Sequence, residues 1–213
     1  MKRILNIVLI IFISGYTNFL MAQRSGEHLV PATSIFDYVD YNAGELQICN
    51  YLLKGMHDLP HVRFLKIPSR DPEEVIELNY NHTDEIWTLT YRTRGIIIHR
   101  LEEVDVDRFP MIEYTRELPK EIADKVFEVY ALMINNTKYY KNPRTGKDGV
   151  SYYFSVFDKG LKGGKIWSPD PKSPVGRLIE ISEDLVAYVK KEMTYVDELR
   201  SNIDALIMDL NKK

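Results

Sequence analysis

Between residues 62 and 92 apolar side chains recur at every second position. Val62, Phe64 and Ile67 suggest one strand, Ile76, Leu78 and Tyr80 alternate with Val75, Glu77 and Asn79, and Trp87, Leu89 and Tyr91 alternate with Thr88, Thr90 and Arg92. Gly95 then precedes Ile96-Ile97-Ile98, which extends the same strand-like run. Asn81-His82-Thr83-Asp84 is rich in turn residues, and Gly95 beside Arg94 can supply a positive φ, so the links read as hairpins and the strands as an antiparallel meander. A second hairpin is expected from Ser151 to Phe157, a glycine-rich turn containing Gly160, Gly163 and Gly164, and a short strand through Ile166 and Trp167.

Elsewhere the period lengthens to that of a helix. Leu46, Cys49, Leu52 and Leu53 define a short helix from Ala43 that Gly55 and Pro60 stop. Ile122, Val126, Val129, Tyr130 and Met133 form one stripe of an amphipathic helix from about 119 to 134. Ser173-Pro174 supplies an N-cap followed by proline at the first helical position. The stripe beyond it, Leu178, Ile181, Leu185, Val189 and Met193, continues into Val196, Leu199, Ile203, Leu206 and Leu210, spaced like an a/d seam. Only about two heptads are clean, so helices folding back on the sheet are favoured over a dimerising coil through those last five residues. The fold class expected is α+β: an antiparallel β-meander plus a second β-hairpin, covered by amphipathic helices, with a long or broken C-terminal helix.

The ends change the picture. Lys2 and Arg3 precede the unbroken apolar run Ile7–Ile13, and Met21-Ala22-Gln23 follows a more polar stretch, so residues 1–22 read as a signal peptide. The run is too short for the ~20 apolar residues of a membrane span, although Leu20 sits where a small residue is preferred and an uncleaved anchor stays open. Residues 23–42 read as an extended lead-in and 43–213 as a single α+β domain whose C-terminal helical segment is 173–211. The expected location is exported, periplasmic or extracellular, with no membrane span once the signal is cleaved.

Charge is uneven along the 213 residues, whose formal net charge is −3. Segment 23–137 carries −8, segment 138–177 carries +6 and segment 178–213 carries −3. The basic stretch coincides with the second hairpin, where Lys159, Lys162 and Lys165 stand among aromatics that include Tyr153 and Trp167. These five are the candidate binding residues, for a protein or an anionic ligand. The competing reading is solvated loops, with lysines guarding a hairpin edge and Trp167 anchoring the core. An acidic mature chain with no recognition helix argues against nucleic acid.

Catalytic and cofactor motifs fail one by one. Gly146-Lys147 and Gly164-Lys165 lack the spacing and the following hydroxyl of a phosphate loop. Pro60 keeps His57 and His61 off one helical face, and Glu102–Asp107 lacks the glycine of a calcium loop, so no metal site and no cofactor are expected. No Gly-x-Ser-x-Gly occurs, and the lone Cys49 stands in an apolar context that suits a small buried hydrophobe. The reading is therefore an exported non-catalytic binding or protein-interaction domain, with no catalytic residues assigned. Two rivals stay open: a secreted hydrolase in which His57, His61, His99 and Asp58 converge from distant loops, and a self-associating structural protein using the C-terminal seam.

Overall fold

The structure, a computed structural model, describes residues 28–32, 43–101, 108–139, 148–192 and 196–212. The expected signal peptide, most of the lead-in, the acidic run 102–107, the loop 140–147 and Met193 lie outside the described residues.

Seven strands form one antiparallel sheet: β1 (Val30–Ala32), β2 (Val62–Pro68), β3 (Glu74–Asn81), β4 (Ile86–Thr93), β5 (Ile112–Leu118), β6 (Val150–Phe157) and β7 (Leu161–Trp167), in the spatial order β1-β7-β6-β2-β3-β4-β5. Four helices pack on it: α1 (Ala43–Tyr51), α2 (Lys120–Asn135), α3 (Pro174–Val189) and α4 (Val196–Leu210). The chain is thus an α+β fold in which the meander β2 to β5 and the hairpin β6–β7 join along β2.

Strand alternation assigns the two faces. Phe64 pairs with Ile76 and with Phe154, and Leu78 with Leu89, so Val62, Phe64, Ile76, Leu78, Leu89, Tyr91, Phe154 and Val156 share a face. All of them are buried in the main core with the inner stripes of α2, α3 and α4. The opposite face is covered over part of its area by α1 and by a 3₁₀ turn at Ile98–Arg100, where Ile48, Leu52, Leu65, Val75 and Ile98 form a second cluster with Cys49 at its margin. Coverage from both sides explains why Val62 to Leu65 are buried without a break.

Several local expectations are met by side-chain chemistry. Asn81 Oδ1 accepts the Thr83 N–H at 2.9 Å and closes the β3–β4 turn. Ser173 Oγ accepts the Gly176 N–H at 3.0 Å and caps α3, with Pro174 at its first position. Leu199, Ile203 and Leu206 of α4 are fully buried within the chain, against a core that includes α2 and α3, while Val196 and Leu210 pack on its margin. The C-terminal helix is broken after α3, where Lys191 takes φ +64°.

Three elements differ from the sequence pattern. Gly163 and Gly164, expected in the turn of the second hairpin, lie inside β7 opposite Ser155 and Phe154. Ile96–Ile98 is not the fourth meander strand; that place is taken by β5, which pairs with β4 from Thr93↔Ile112 to Trp87↔Leu118. The cause is Glu73, whose buried carboxylate accepts the backbone N–H groups of Ile98 and His99 at 2.8 Å each and so stabilises a 3₁₀ turn there. The lead-in is also partly ordered into the sheet, since β1 pairs with β7 from Val30↔Lys165 to Ala32↔Gly163. Among the described residues no helix is long and apolar enough to cross a membrane.

Candidate functional site

A cleft of about 230 Å³ opens on the α1 side of the sheet, lined by Glu45, Ile48, Ile67, Pro68, Ser69, His99, Gly149, Ser151, Tyr153 and Trp167. Its floor follows from strand register. Ser151 pairs with Ile67 on one side and Trp167 on the other, and Tyr153 lies two residues along β6 on the same face. Its wall comes from α1, where Glu45 and Ile48 are three residues apart and project together. The Tyr153 hydroxyl donates to Glu45 Oε1 at 3.3 Å and ties floor to wall.

Trp167 is held by the backbone around it. Ser168 N–H donates to the Val150 carbonyl at 2.9 Å and its Oγ accepts the Val150 N–H at 3.0 Å. Gly149 donates to Ser69 Oγ at 3.2 Å, while Ser69 N–H donates to the Gly149 carbonyl at 2.9 Å. Glycine is required at 149 because a Cβ there would stand 2.7 Å from Trp167 Cζ2 and 2.4 Å from Ser168 Oγ. Gly149→Ala is therefore expected to displace the indole and to cost about 1–3 kcal/mol, read as a lowered thermal midpoint.

The third wall is His99. Its ring Nδ1–H contacts Glu73 Oε1, so the carboxylate fixes the tautomer and leaves Nε2 as the ring's remaining polar atom. Glu73 has no exposed surface. Burial pushes its carboxyl pKa up, but hydrogen bonds from the His99 ring and from the N–H groups of His99 and Ile98 outweigh that and hold it below the ordinary value.

Four residues after Glu73, within β3, Glu77 builds a second pair of the same kind. Its carboxylate receives Arg63 Nε at 2.8 Å and contacts Arg63 Nη2, and its other oxygen lies 2.6 Å from His57 Nδ1. Glu73 stands immediately before β3 and Glu77 within it. The histidines of the hydrolase reading fall into two groups: His57, on Glu77, and His61, edge-on to Trp87 in another cavity against α2, both contact Asn79, whereas His99 sits apart on Glu73. Asp58 is exposed.

No family model matches the chain, and no curated protein or solved structure resembles it significantly. The residues themselves carry the functional argument.

The five residues picked from the hairpin sequence separate. Tyr153 and Trp167 converge in the cleft. Lys165 is opposite Tyr153 in register, on the same face, but is not part of the lining. Lys162 is opposite Val156 and so on the other face, where it pairs with Asp158 at 3.1 Å and Asn135 Oδ1 at 3.0 Å. Lys159 sits in the β6–β7 turn with φ +54°. Glu45, Glu73 and Arg63 with Glu77 were not selected as site residues from sequence. The available signal was Arg63 inside Val62-Arg63-Phe64-Leu65 and Glu77 inside Val75-Ile76-Glu77-Leu78, two opposite charges embedded in apolar strands.

Proposed function

We propose that this is an exported, non-catalytic binding domain whose cleft at Trp167, Tyr153 and Glu45 receives a small amphipathic cation or the basic side chain of a protein partner. The observation that carries the reading is the composition of the cleft. Two aromatic rings and three apolar side chains stand beside two carboxylates, Glu45 in the lining and Glu73 behind His99. Whichever protonation state His99 adopts, the lining with Glu73 is net negative, and an aromatic surface beside a carboxylate favours an organic cation. The volume lies below the ~300–1,000 Å³ of clefts that enclose drug-sized ligands, which suits one side chain or a small amine. Export is supported by Lys2, Arg3 and the apolar run after them.

Calorimetric titration with phenethylamine, N-acetyl-arginine amide and the isosteric anion phenylacetate tests this. The two cations are expected to bind, and Trp167→Ala to weaken them about tenfold or more. Lys159→Gln and Lys162→Gln combined are expected to leave that affinity within about twofold, because Lys159 sits in the β6–β7 turn and Lys162 on the opposite face of the sheet. Tighter binding of phenylacetate, lost in the lysine variant, would instead place an anionic partner on the hairpin.

A second reading has the Glu73–His99 contact behind it. A carboxylate on Nδ1 leaves Nε2 able to take a proton, and Ser69 and Ser151 line the same cleft. Neither serine hydrogen-bonds to His99 among the described residues. Ester hydrolysis of p-nitrophenyl acetate above the buffer rate and abolished by His99→Ala would favour this reading over binding alone.

A further inference from the structure

A second cavity, of about 360 Å³, lies between the start of β2, the β3–β4 hairpin and the first turns of α2, lined by His61, Tyr80, Trp87, Lys120, Asp124 and Phe127. It shares no lining residue with the first cleft and falls within the size range of ligand-holding pockets. Tyr80 and Trp87 form an inclined aromatic pair with centroids 5.2 Å apart, and His61 meets Trp87 edge-on at 5.0 Å. The buried indole N–H of Trp87 has no hydrogen-bond partner among the described residues.

The polar groups here are balanced in charge. Lys120 Nζ and Asp124 Oδ2 are 2.6 Å apart, with side chains 75% and 50% exposed, so they stand at the mouth as a donor beside an acceptor. The Tyr80 N–H approaches His61 Nδ1 at 3.4 Å, which makes Nδ1 the acceptor and puts the ring proton on Nε2. Burial, despite the opposing hydrogen bond with Asn79, lowers the His61 pKa from its ordinary value of 6.5, which keeps the ring neutral at pH 7. A cation entering would meet Lys120, an anion would meet Asp124, and a wholly apolar molecule would strip water from both without replacing it.

We propose that this cavity binds a neutral saccharide, with the aromatic rings taking the apolar face of a pyranose and the adjacent Lys120 and Asp124 engaging neighbouring hydroxyls. Side-by-side ammonium and carboxylate groups match a vicinal diol, which offers an acceptor and a donor at similar spacing. The His61 Nε2–H is a further donor for a ring or hydroxyl oxygen.

Titration calorimetry with cellobiose, maltose and N,N′-diacetylchitobiose tests the assignment, with choline as the cationic control. At least one disaccharide is expected to bind saturably. Asp124→Ala, an exposed helical position, should weaken it about tenfold or more through loss of charge-assisted hydrogen bonds, and Tyr80→Ala similarly through loss of stacking. Circular dichroism of both variants separates loss of the site from loss of the fold. Trp167→Ala, which alters only the first cleft, should leave saccharide affinity unchanged. Absence of binding by all three disaccharides, affinity indifferent to Asp124→Ala in a folded variant, or preferential binding of choline would overturn the proposal.

Discussion

Glu77→Ala is expected to cost about 3–5 kcal/mol of folding stability, the usual consequence of leaving a buried charge without its partner. The Arg63 side chain is 8% exposed and that of Glu77 only 2%, so neither can turn to water when the other is removed. The Glu77 carboxylate also receives the backbone N–H of His57 at 3.2 Å and contacts Asn79 Nδ2, so the loop before β2 is anchored through it. For a chain of this length the midpoint should fall by roughly 6–20 °C, at ~2–4 °C per kcal/mol. The pair Arg63→Met and Glu77→Leu should recover most of the loss, because removing both charges removes the desolvation penalty along with the attraction. Thermal melts of the single and double variants check this. A Glu77→Ala midpoint within about 2 °C of the parent would mean that the pair contributes no more than a surface ion pair.

Glu73 gives the second large effect, and it depends on pH. Its alanine variant leaves the Ile98 and His99 N–H groups without an acceptor in a buried setting, at about 1–3 kcal/mol for each. Because the folded-state pKa of Glu73 is held below its ordinary value of 4.5, its charged form contributes stability that is fully present above that value. That contribution is lost as pH falls through the lower, folded-state pKa. The parent should therefore lose stability progressively below about pH 4.5, and Glu73→Gln should lack that component of the acid limb while being less stable at neutral pH. Denaturant midpoints across the acid range measure it; a Glu73→Gln profile parallel to the parent's would remove Glu73 from the account.

Much of the fold is legible because period two and period 3.6 are plain where one side of an element is buried. The meander strands β2 to β4, the hairpin β6–β7, the stripe of α2 and the Ser173 cap can all be read from the chain. β5 escapes because it is an edge strand whose Ile112 and Tyr114 are themselves exposed, which flattens the alternation. Ile96–Ile98 reads as a strand from its β-branched run, and only a carboxylate 25 residues earlier converts it to a 3₁₀ turn. The α4 seam resembles a coiled coil because a helix packed on two neighbours in its own chain uses the same positions.

The site divides in the same way. Tyr153 and Trp167, which stand out in the sequence as aromatics in short hairpin strands, line the same cleft. The lysines do not share one surface, because Lys162 and Lys165 differ by an odd number of residues and point to opposite faces, so charge summed over a segment hides its direction. Glu45, His99 and Glu73 reach the cleft only through tertiary packing of α1 and the 3₁₀ turn, and no spacing in the sequence announces it.

The binding reading is tested most directly by the two tryptophan indole N–H signals in a ¹⁵N-correlated spectrum of the labelled protein, assigned with Trp167→Phe. Titration with phenethylamine is predicted to shift the Trp167 signal saturably, to leave Trp87 in place, and to exceed any change caused by phenylacetate. A Trp167 signal that stays fixed while the amine is raised to saturation, or one that moves equally with the anion, would contradict it.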